Sequence, residues 1–430
     1  MKSIAENRKA LLCFLVVGCI AKADGGSMLG INYGQIGDDL PDPRDAVALV
    51  KSLGASHIKL FDANPSVLAA FGGSGISFTL GVGNEFLAQM RDPAAAMYWA
   101  ERNVVPHLPR TVISSVAVGN EVLTLDDTLF ISHLLPAMRS LRSALLSLNL
   151  NVTVTTPHSL SILQTSYPPS AAAFRRDLIP FLEPILGFLD RTSAPFLLNA
   201  YPFFAYKASP GRIPLDFAIF QPNPGLTDPV TGYHYDNMLF AQVDSVYSAL
   251  ASTGFRRLTV HVSETGWPSK GDSDEFGASP DNARKYNGNL IKKIRSGAAT
   301  PGRPCIALKV YVFALFNENM KPGPTSERNY GLFKPDATAA YDLGLGTVAG
   351  NYTVIAANFS SPTIASSNQK RNNTNGVYPK LPESSSTGYL TVSSSNDLKV
   401  HVAPLFICLL FHIMYTIPLF YTDGVVLLSP

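Results

Sequence analysis

Two stretches decide the fold: Val116-Ala117-Val118-Gly119-Asn120-Glu121 and, far downstream, Val260-His261-Val262-Ser263-Glu264-Thr265-Gly266-Trp267-Pro268-Ser269. In each, a largely apolar run breaks off at a glutamate beside a glycine that can turn the chain. Such runs read as buried strands whose C-terminal ends carry polar groups. Working outward, strand-like runs recur at Leu29–Tyr33, Ile58–Phe61, Ser77–Val82, Ser115–Val118, Asn151–Thr155, Phe196–Tyr201, Leu258–Ser263 and Ile306–Phe316. Helical spacing lies between several of them: Ala46, Val47, Val50 and Leu53, then Ile131 to Leu148, then Met238 to Leu250. Eight strands with crossover helices predict an α/β fold whose parallel sheet closes into a (β/α)8 TIM barrel. A doubly wound open sheet is the alternative. Against it, Gly34-Gln35-Ile36-Gly37 after the first strand lacks the full phosphate-binding fingerprint.

The polar residues gather where the runs end, at Asn32-Tyr33, Phe61-Asp62, Asn84-Glu85, Asn120-Glu121, Asn199–Tyr201, Glu264–Trp267 and Asn317-Glu318. A barrel interior is expected to be filled by apolar layers, so chemistry belongs at this rim. Two carboxyl groups can break a glycosidic bond when their surroundings push their pKa values apart. Glu121 emerges against apolar walls that favour its protonated form, which suits a general acid/base. Asn120 beside it can hydrogen-bond a sugar hydroxyl. Glu264 precedes Gly266, Trp267 and Pro268, whose rigid turn would hold a nucleophile in line.

Composition narrows the partners. Hydrophobic residues make up 46% of the 430 and charged residues 15%, with a formal net charge of +2. No basic run interleaves with aromatics, so nucleic acid is excluded as a partner, and a neutral polymer fits better. His57, His107, His133, His158, His234 and His261 show no paired metal-ligand spacing, so they read as structural and no metal is expected. The acidic Asp272–Glu275 stretch reads as a solvated loop near the cleft mouth.

The termini differ in character. Lys2, Arg8 and Lys9, an apolar run from Ala10 to Ala21 and the small-x-small Ala21-Lys22-Ala23 read as a signal peptide over residues 1–23. Residues 24–350 then form the catalytic domain, 351–396 a flexible Ser/Thr/Asn-rich stalk and 397–430 a hydrophobic anchor signal. Small residues at Ser393–Asn396 before the apolar tail resemble a signal for glycosylphosphatidylinositol attachment, with a retained transmembrane anchor as the competing reading. Sequons occur at Asn151, Asn351, Asn358 and Asn372, of which the last three suit a glycosylated stalk. Cys13 and Cys19 leave with the signal and Cys408 lies in the tail, so Cys305 is expected to be a lone, buried small hydrophobe at the start of a strand.

Glu264-Thr265-Gly266-Trp267-Pro268-Ser269 resembles the signature of the family 17 glycoside hydrolases, the plant endo-β-1,3-glucanases and their relatives. Gly30–Gly34, Lys59–Asp62, Val118–Glu121, Asn199–Tyr206 and Phe316–Glu327 resemble other strand-end motifs of that family. The resemblance implies a (β/α)8 barrel, retention of configuration and no cofactor. It implies Glu121 as proton donor and Glu264 as nucleophile. Tyr33, Phe61, Tyr201 and Phe204 match rim positions lining the sugar cleft, with core packing the alternative for Phe61 and Phe204. Glu318, Lys321 and Glu327 match a charged cluster beside the catalytic pair, or else a surface ion pair. Asn120 and Trp267 complete the expected substrate contacts. The expected function is retaining endo-hydrolysis of (1→3)-β-D-glucan by a monomer held at the outer face of the plasma membrane and the cell wall. A non-catalytic glucan-binding wall protein and an enzyme of mixed 1,3-1,4-glucan are the alternatives.

Overall fold

The computed structural model describes residues 28–345. The expected signal peptide, stalk, anchor signal and three C-terminal sequons lie outside the described residues.

Strands β1 (Leu29–Asn32), β2 (His57–Lys59), β3 (Ser77–Val82), β4 (Val112–Val118), β5 (Thr153–Thr155), β6 (Pro157–Ser159), β7 (Phe196–Asn199), β8 (Val260–Thr265) and β9 (Val310–Val312) form one sheet. Its order is β5-β4-β3-β2-β1-β9-β8-β7-β6, and every adjacent pair is parallel. Only Thr156 separates β5, which pairs with β4, from β6, which pairs with β7. The two edge pieces are therefore one interrupted stave, and a ring of eight results, as expected for a (β/α)8 barrel.

The helices that wrap the ring begin on a shared device. Asp42, Asn64, Asp92 and Ser279 each cap a helix through the side chain, and proline occupies the first helical position behind each. The cap satisfies an orphan amide, and proline's missing N–H costs nothing there. These caps start α1 (Pro43–Ser52), α2 (Pro65–Ala70), α3 (Pro93–Asn103) and α7 (Pro280–Arg295). Between α3 and α7 lie α4 (Thr128–Ser147), α5 (Ile179–Thr192) and α6 (Met238–Ser252). Leu29, Ile31, Ile58, Phe78, Leu80, Val116 and Val118 are buried in the main core, as strand alternation requires of one face.

The opposite, inward face departs from expectation. Instead of stacked aliphatic layers it carries Lys59, Thr79, Ser115, Thr155, Ser263 and Tyr311. These groups satisfy one another. Thr79 Oγ1 lies 2.7 Å from Ser115 Oγ and 3.3 Å from the Tyr311 hydroxyl. Asn32 donates to the carbonyls of Ser263 and Tyr311 at 3.2 and 3.4 Å. Gly30 leaves the room that the Tyr311 ring fills, since a Cβ there would collide with it. Such a polar interior is tolerable because most of its donors and acceptors find protein partners, Asn32 Oδ1 being an exception.

Two further expectations change. Cys305 is exposed in a turn ahead of β9 rather than buried, and it is disulfide-bonded. Asn151 is exposed and precedes β5, which begins at Thr153 of the same sequon.

Candidate active site

The mouth at the C-terminal ends of the strands is assembled by three asparagines. Beyond β4 the chain turns through Gly119 and Glu121, both left-handed with φ of 67° and 53°. Asn120 is clamped by Asn84 from the loop after β3. Its amide donates to Asn84 Oδ1 at 2.8 Å, and Asn84 Nδ2 returns a bond to its carbonyl at 3.1 Å. The Glu121 amide donates to the Pro157 carbonyl on β6 at 3.0 Å. A non-glycine residue in the left-handed region is uncommon and persists where its surroundings hold it.

Asn199 closes β7 and connects the two glutamates. Its Nδ2 donates to Glu121 Oε1 at 2.8 Å and to Asn120 Oδ1 at 3.3 Å, while its Oδ1 accepts from Ser263 at 2.7 Å. Asn199 also stands in register with Glu264 across β7 and β8. Glu264 is 4% exposed, and its two oxygens are engaged separately. Lys59 Nζ reaches Oε1 at 2.7 Å, and the Tyr201 hydroxyl donates to Oε2 at 3.1 Å. The Lys59 ammonium also lies 4.0 Å from the centroid of the Phe61 ring.

These settings separate the two carboxyl groups electrostatically. Burial, and next the negative charge of Glu264, push Glu121 up to about 7, against opposing influences from Asn199 and Lys59. Glu264 has a cation and a phenol against it instead. Glu121 thus takes up a proton far more readily than an ordinary glutamate, while both oxygens of Glu264 are held by Lys59 and Tyr201.

A cavity of about 250 Å³ opens between them, lined by Glu121, Asn199, Tyr201, Phe204, Glu264, Phe313, Lys321, Glu327 and Tyr330 among others. Lys321 Nζ donates to Glu327 at 3.1 Å and sits 4.3 Å from the Phe313 ring centroid. Both partners are at least 90% buried, so the charged cluster is no surface pair. Phe204 contributes its ring beside Tyr201, with centroids 5.3 Å apart.

Other expected contacts lie elsewhere. Tyr33 is 2% exposed, edge-on to Phe316, and outside the cavity lining. Glu318 is buried, accepts from the Ile36 amide at 2.8 Å, and is raised by burial against the pull of Lys321. Asn120 meets the cavity only through its bond with Asn199. Trp267 corrects the expectation of a sugar-facing indole, since it is fully buried. Its ring packs on Phe203 and Tyr286, and its N–H is spent on the Gly277 carbonyl at 2.8 Å. In the Asp272–Glu275 segment Asp272, Ser273 and Asp274 are exposed, as expected of a solvated loop, but Glu275 is not. Glu275 is 3% exposed and accepts from Ser326, Lys207 and the Asp272 amide, pinning the loop beside Glu327.

Lys59, Phe313 and Tyr330 were not singled out from the sequence as site residues. A lysine inside Ile58-Lys59-Leu60-Phe61 is itself a signal, because a buried ammonium demands a carboxylate. Tyr330 carries a buried hydroxyl without a protein partner, facing the cavity. Among the described residues, no group of three or more His, Cys, Asp or Glu side chains could hold a metal ion.

The chain matches the family described as glycosyl hydrolases family 17 over residues 29–345. It is 52% identical over 403 residues to glucan endo-1,3-beta-glucosidase 11 of Arabidopsis thaliana, covering 92% of this chain and 94% of that one. Glucan endo-1,3-beta-D-glucosidase of Olea europaea is 41% identical, covering 85% and 80% of the two chains. Among solved structures, the β-1,3-glucanase and pollen allergen CJP38 of Cryptomeria japonica is similar with a TM-score of 0.70 at 38% identity, covering 73% of this chain and 98% of that one. A plant β-glucan endohydrolase is similar with a TM-score of 0.68 at 35% identity, covering 73% and 99%.

Proposed function

The chain belongs to glycosyl hydrolase family 17, and from that membership together with the cleft geometry we propose that it is a retaining glucan endo-1,3-β-glucosidase, with Glu264 as nucleophile and Glu121 as general acid/base. The observation that carries the assignment of roles is Asn199. One buried amide ties Glu121 to the strand pair that presents Glu264, so both carboxyl groups face one cavity.

In the first step Glu264 Oε attacks the anomeric carbon while the bond to the leaving oxygen breaks. Glu121 gives that oxygen its proton. The products of this step are a glucosyl ester on Glu264 and a shortened glucan carrying a new hydroxyl. Esterification removes the negative charge that helped raise Glu121, so its carboxylate is then better placed to remain ionised and act as a base. Water attacks the anomeric carbon from the face the leaving group vacated, passes a proton to Glu121 and releases Glu264. Two inversions give net retention. Lys59 and Tyr201 hold the attacking carboxylate in place throughout, and Phe204, Phe313 and Tyr330 provide a ring-lined wall for the sugar.

The test is product analysis on defined β-glucans, with the anomeric configuration of the first product recorded by NMR. Internal cleavage of β-1,3-linked chains giving the β-anomer is expected. An α-anomer would reject the double displacement, and release from mixed 1,3-1,4-glucan alone would reassign the substrate. The pH profile checks the role of Glu121. A raised carboxyl group is protonated, and therefore competent as an acid, below its folded pKa, so kcat/KM is expected to fall as pH rises through about 7. Glu121→Gln is expected to erase that limb and lower kcat/KM by about 10²–10⁴-fold on unactivated glucan. A limb that survives unshifted in the variant belongs to another group.

The proposal extends to location. Secretion, glycosylation at Asn351, Asn358 and Asn372, and a lipid anchor at the outer membrane face are supported by the composition of the two termini. Among the described residues no helix is long and apolar enough to cross a membrane.

A further inference from the structure

Three segments of the barrel rim converge on a carboxyl group that lies outside the lining of the catalytic cavity. Glu275, in the loop after β8, is buried. Its Oε1 accepts from the Ser326 hydroxyl at 2.5 Å and from Lys207 Nζ at 3.0 Å. Its Oε2 accepts from the Ser326 amide at 2.9 Å and from the Asp272 amide at 3.0 Å. Ser326 belongs to the loop after β9, Lys207 to the short helix Pro202–Ala208 after β7, and Asp272 to the loop of Glu275 itself. Four donors, two on each oxygen, fill the acceptor sites of a carboxylate.

What this carboxylate grips matters for the cleft. Ser326 is fully buried and directly precedes Glu327 within one short 3₁₀ turn, Thr325–Arg328. Glu327 lines the cavity and accepts from Lys321, which lines it too. Fixing the Ser326 amide and hydroxyl therefore fixes the point from which the Glu327 side chain springs. A second clamp runs alongside. Thr325 donates its amide and hydroxyl to Asp272 at 2.9 and 2.5 Å, and the Ser269 amide donates to the Asn329 carbonyl at 2.9 Å. A single 3₁₀ turn has poor internal hydrogen-bond geometry, so the placement of this one comes from these outside bonds.

We infer that Glu275 is a positioning residue for hydrolysis: it anchors the turn that sets Glu327, and with it Lys321, against the substrate, without touching the sugar itself. The inference rests on the reading of the cavity as the sugar cleft. Misplacement is expensive in such a site, since an error of about 1 Å can cost about 10²-fold in rate. A side chain that only stabilised the loop would lower Tm and leave the folded enzyme as active as before. One that works through Glu327 loses its effect once Glu327 no longer contributes.

The experiment is a double-variant cycle on the full chain, with laminarin as substrate well below the unfolding temperature and folding checked by near-UV circular dichroism. Glu275→Ala is expected to lower kcat/KM by about 10–10²-fold. Glu275→Gln should lower it less, because its carbonyl can keep the two backbone amides while its NH2 turns to the Ser326 hydroxyl. In Glu275→Ala/Glu327→Gln the loss is expected to stay close to that of Glu327→Gln alone. If Glu275→Ala does not fold, the same cycle with Glu275→Gln decides. Wild-type activity in every Glu275 variant that folds, or losses that multiply in the double variant, would overturn the positioning role. Failure of the cleft reading looks different, since Glu327→Gln would then be as active as wild type. If the positioning alone fails, Glu327→Gln is impaired and Glu275 acts independently of it.

Discussion

Glu264→Ala is expected to slow hydrolysis of laminarin-type glucan by about 10⁴-fold or more, the scale seen when a nucleophile is removed from a site that otherwise stays assembled. The loss differs in kind from that at Glu121, because no other carboxylate is aimed along the same line from β8. Azide offers a decisive reading. With an activated β-glucosyl substrate, azide can enter the space the carboxylate left and attack the anomeric carbon directly, so one inversion gives an α-glucosyl azide. Recovery of activity with that stereochemistry is the expected result. A β-azide, or activity in the variant equal to wild type, would remove Glu264 from the role. The fold should survive at reduced stability, since Lys59 is left 2% exposed without its counter-charge. Near-UV circular dichroism separates that effect from the chemical one.

Lys59→Met should produce the largest change in stability. Breaking a buried ion pair from one side typically costs about 3–5 kcal/mol, because the surviving charge stays desolvated. For a domain of this size that corresponds to a fall in Tm of about 5–7 °C. Here the survivor is Glu264, left with the Tyr201 hydroxyl as its remaining donor at 3.1 Å. A carboxylate so placed gains by taking up a proton, which disarms it as a nucleophile. kcat should therefore fall together with Tm. The double variant Lys59→Met/Glu264→Gln should be less destabilised than the sum of the two single changes, since it removes both charges. Strict additivity, or a Tm within a degree or two of wild type, would show that the pair contributes little.

The sequence revealed the barrel more fully than the site. Ser77–Val82 is a strand over the expected residues, and the helix expected at Ile131–Leu148 spans Thr128–Ser147. Such elements are legible because apolar periodicity and Asp-Pro or Asn-Pro caps are local signals. Interiors are not local. Thr79, Ser115 and Thr155 read as ordinary strand residues, and only closure of the ring shows that they face one another. Trp267 misled for a related reason. Its position beside Glu264 is a fact of sequence, but the side-chain direction depends on Phe203 and Tyr286, which come from other elements. Glu275 looked like one of several loop acids until Ser326, distant along the chain, supplied its donors. The two glutamates and Tyr201 were readable because a polar group ending an apolar run is conspicuous. Lys59 meets Glu264 only when the ring closes, because the two lie 205 residues apart in the chain.

The left-handed turn at Glu121 bears on how this protein can be improved. An ordinary side chain in that conformation raises the free energy of the native state by about 1–2 kcal/mol, whereas glycine or asparagine sits there more easily. Selection for heat tolerance alone would thus favour replacing Glu121, the proposed proton donor, giving hardier molecules that have lost that group. Durability and turnover pull in opposite directions at this one backbone position, so any screen for robust variants has to score product as well as survival.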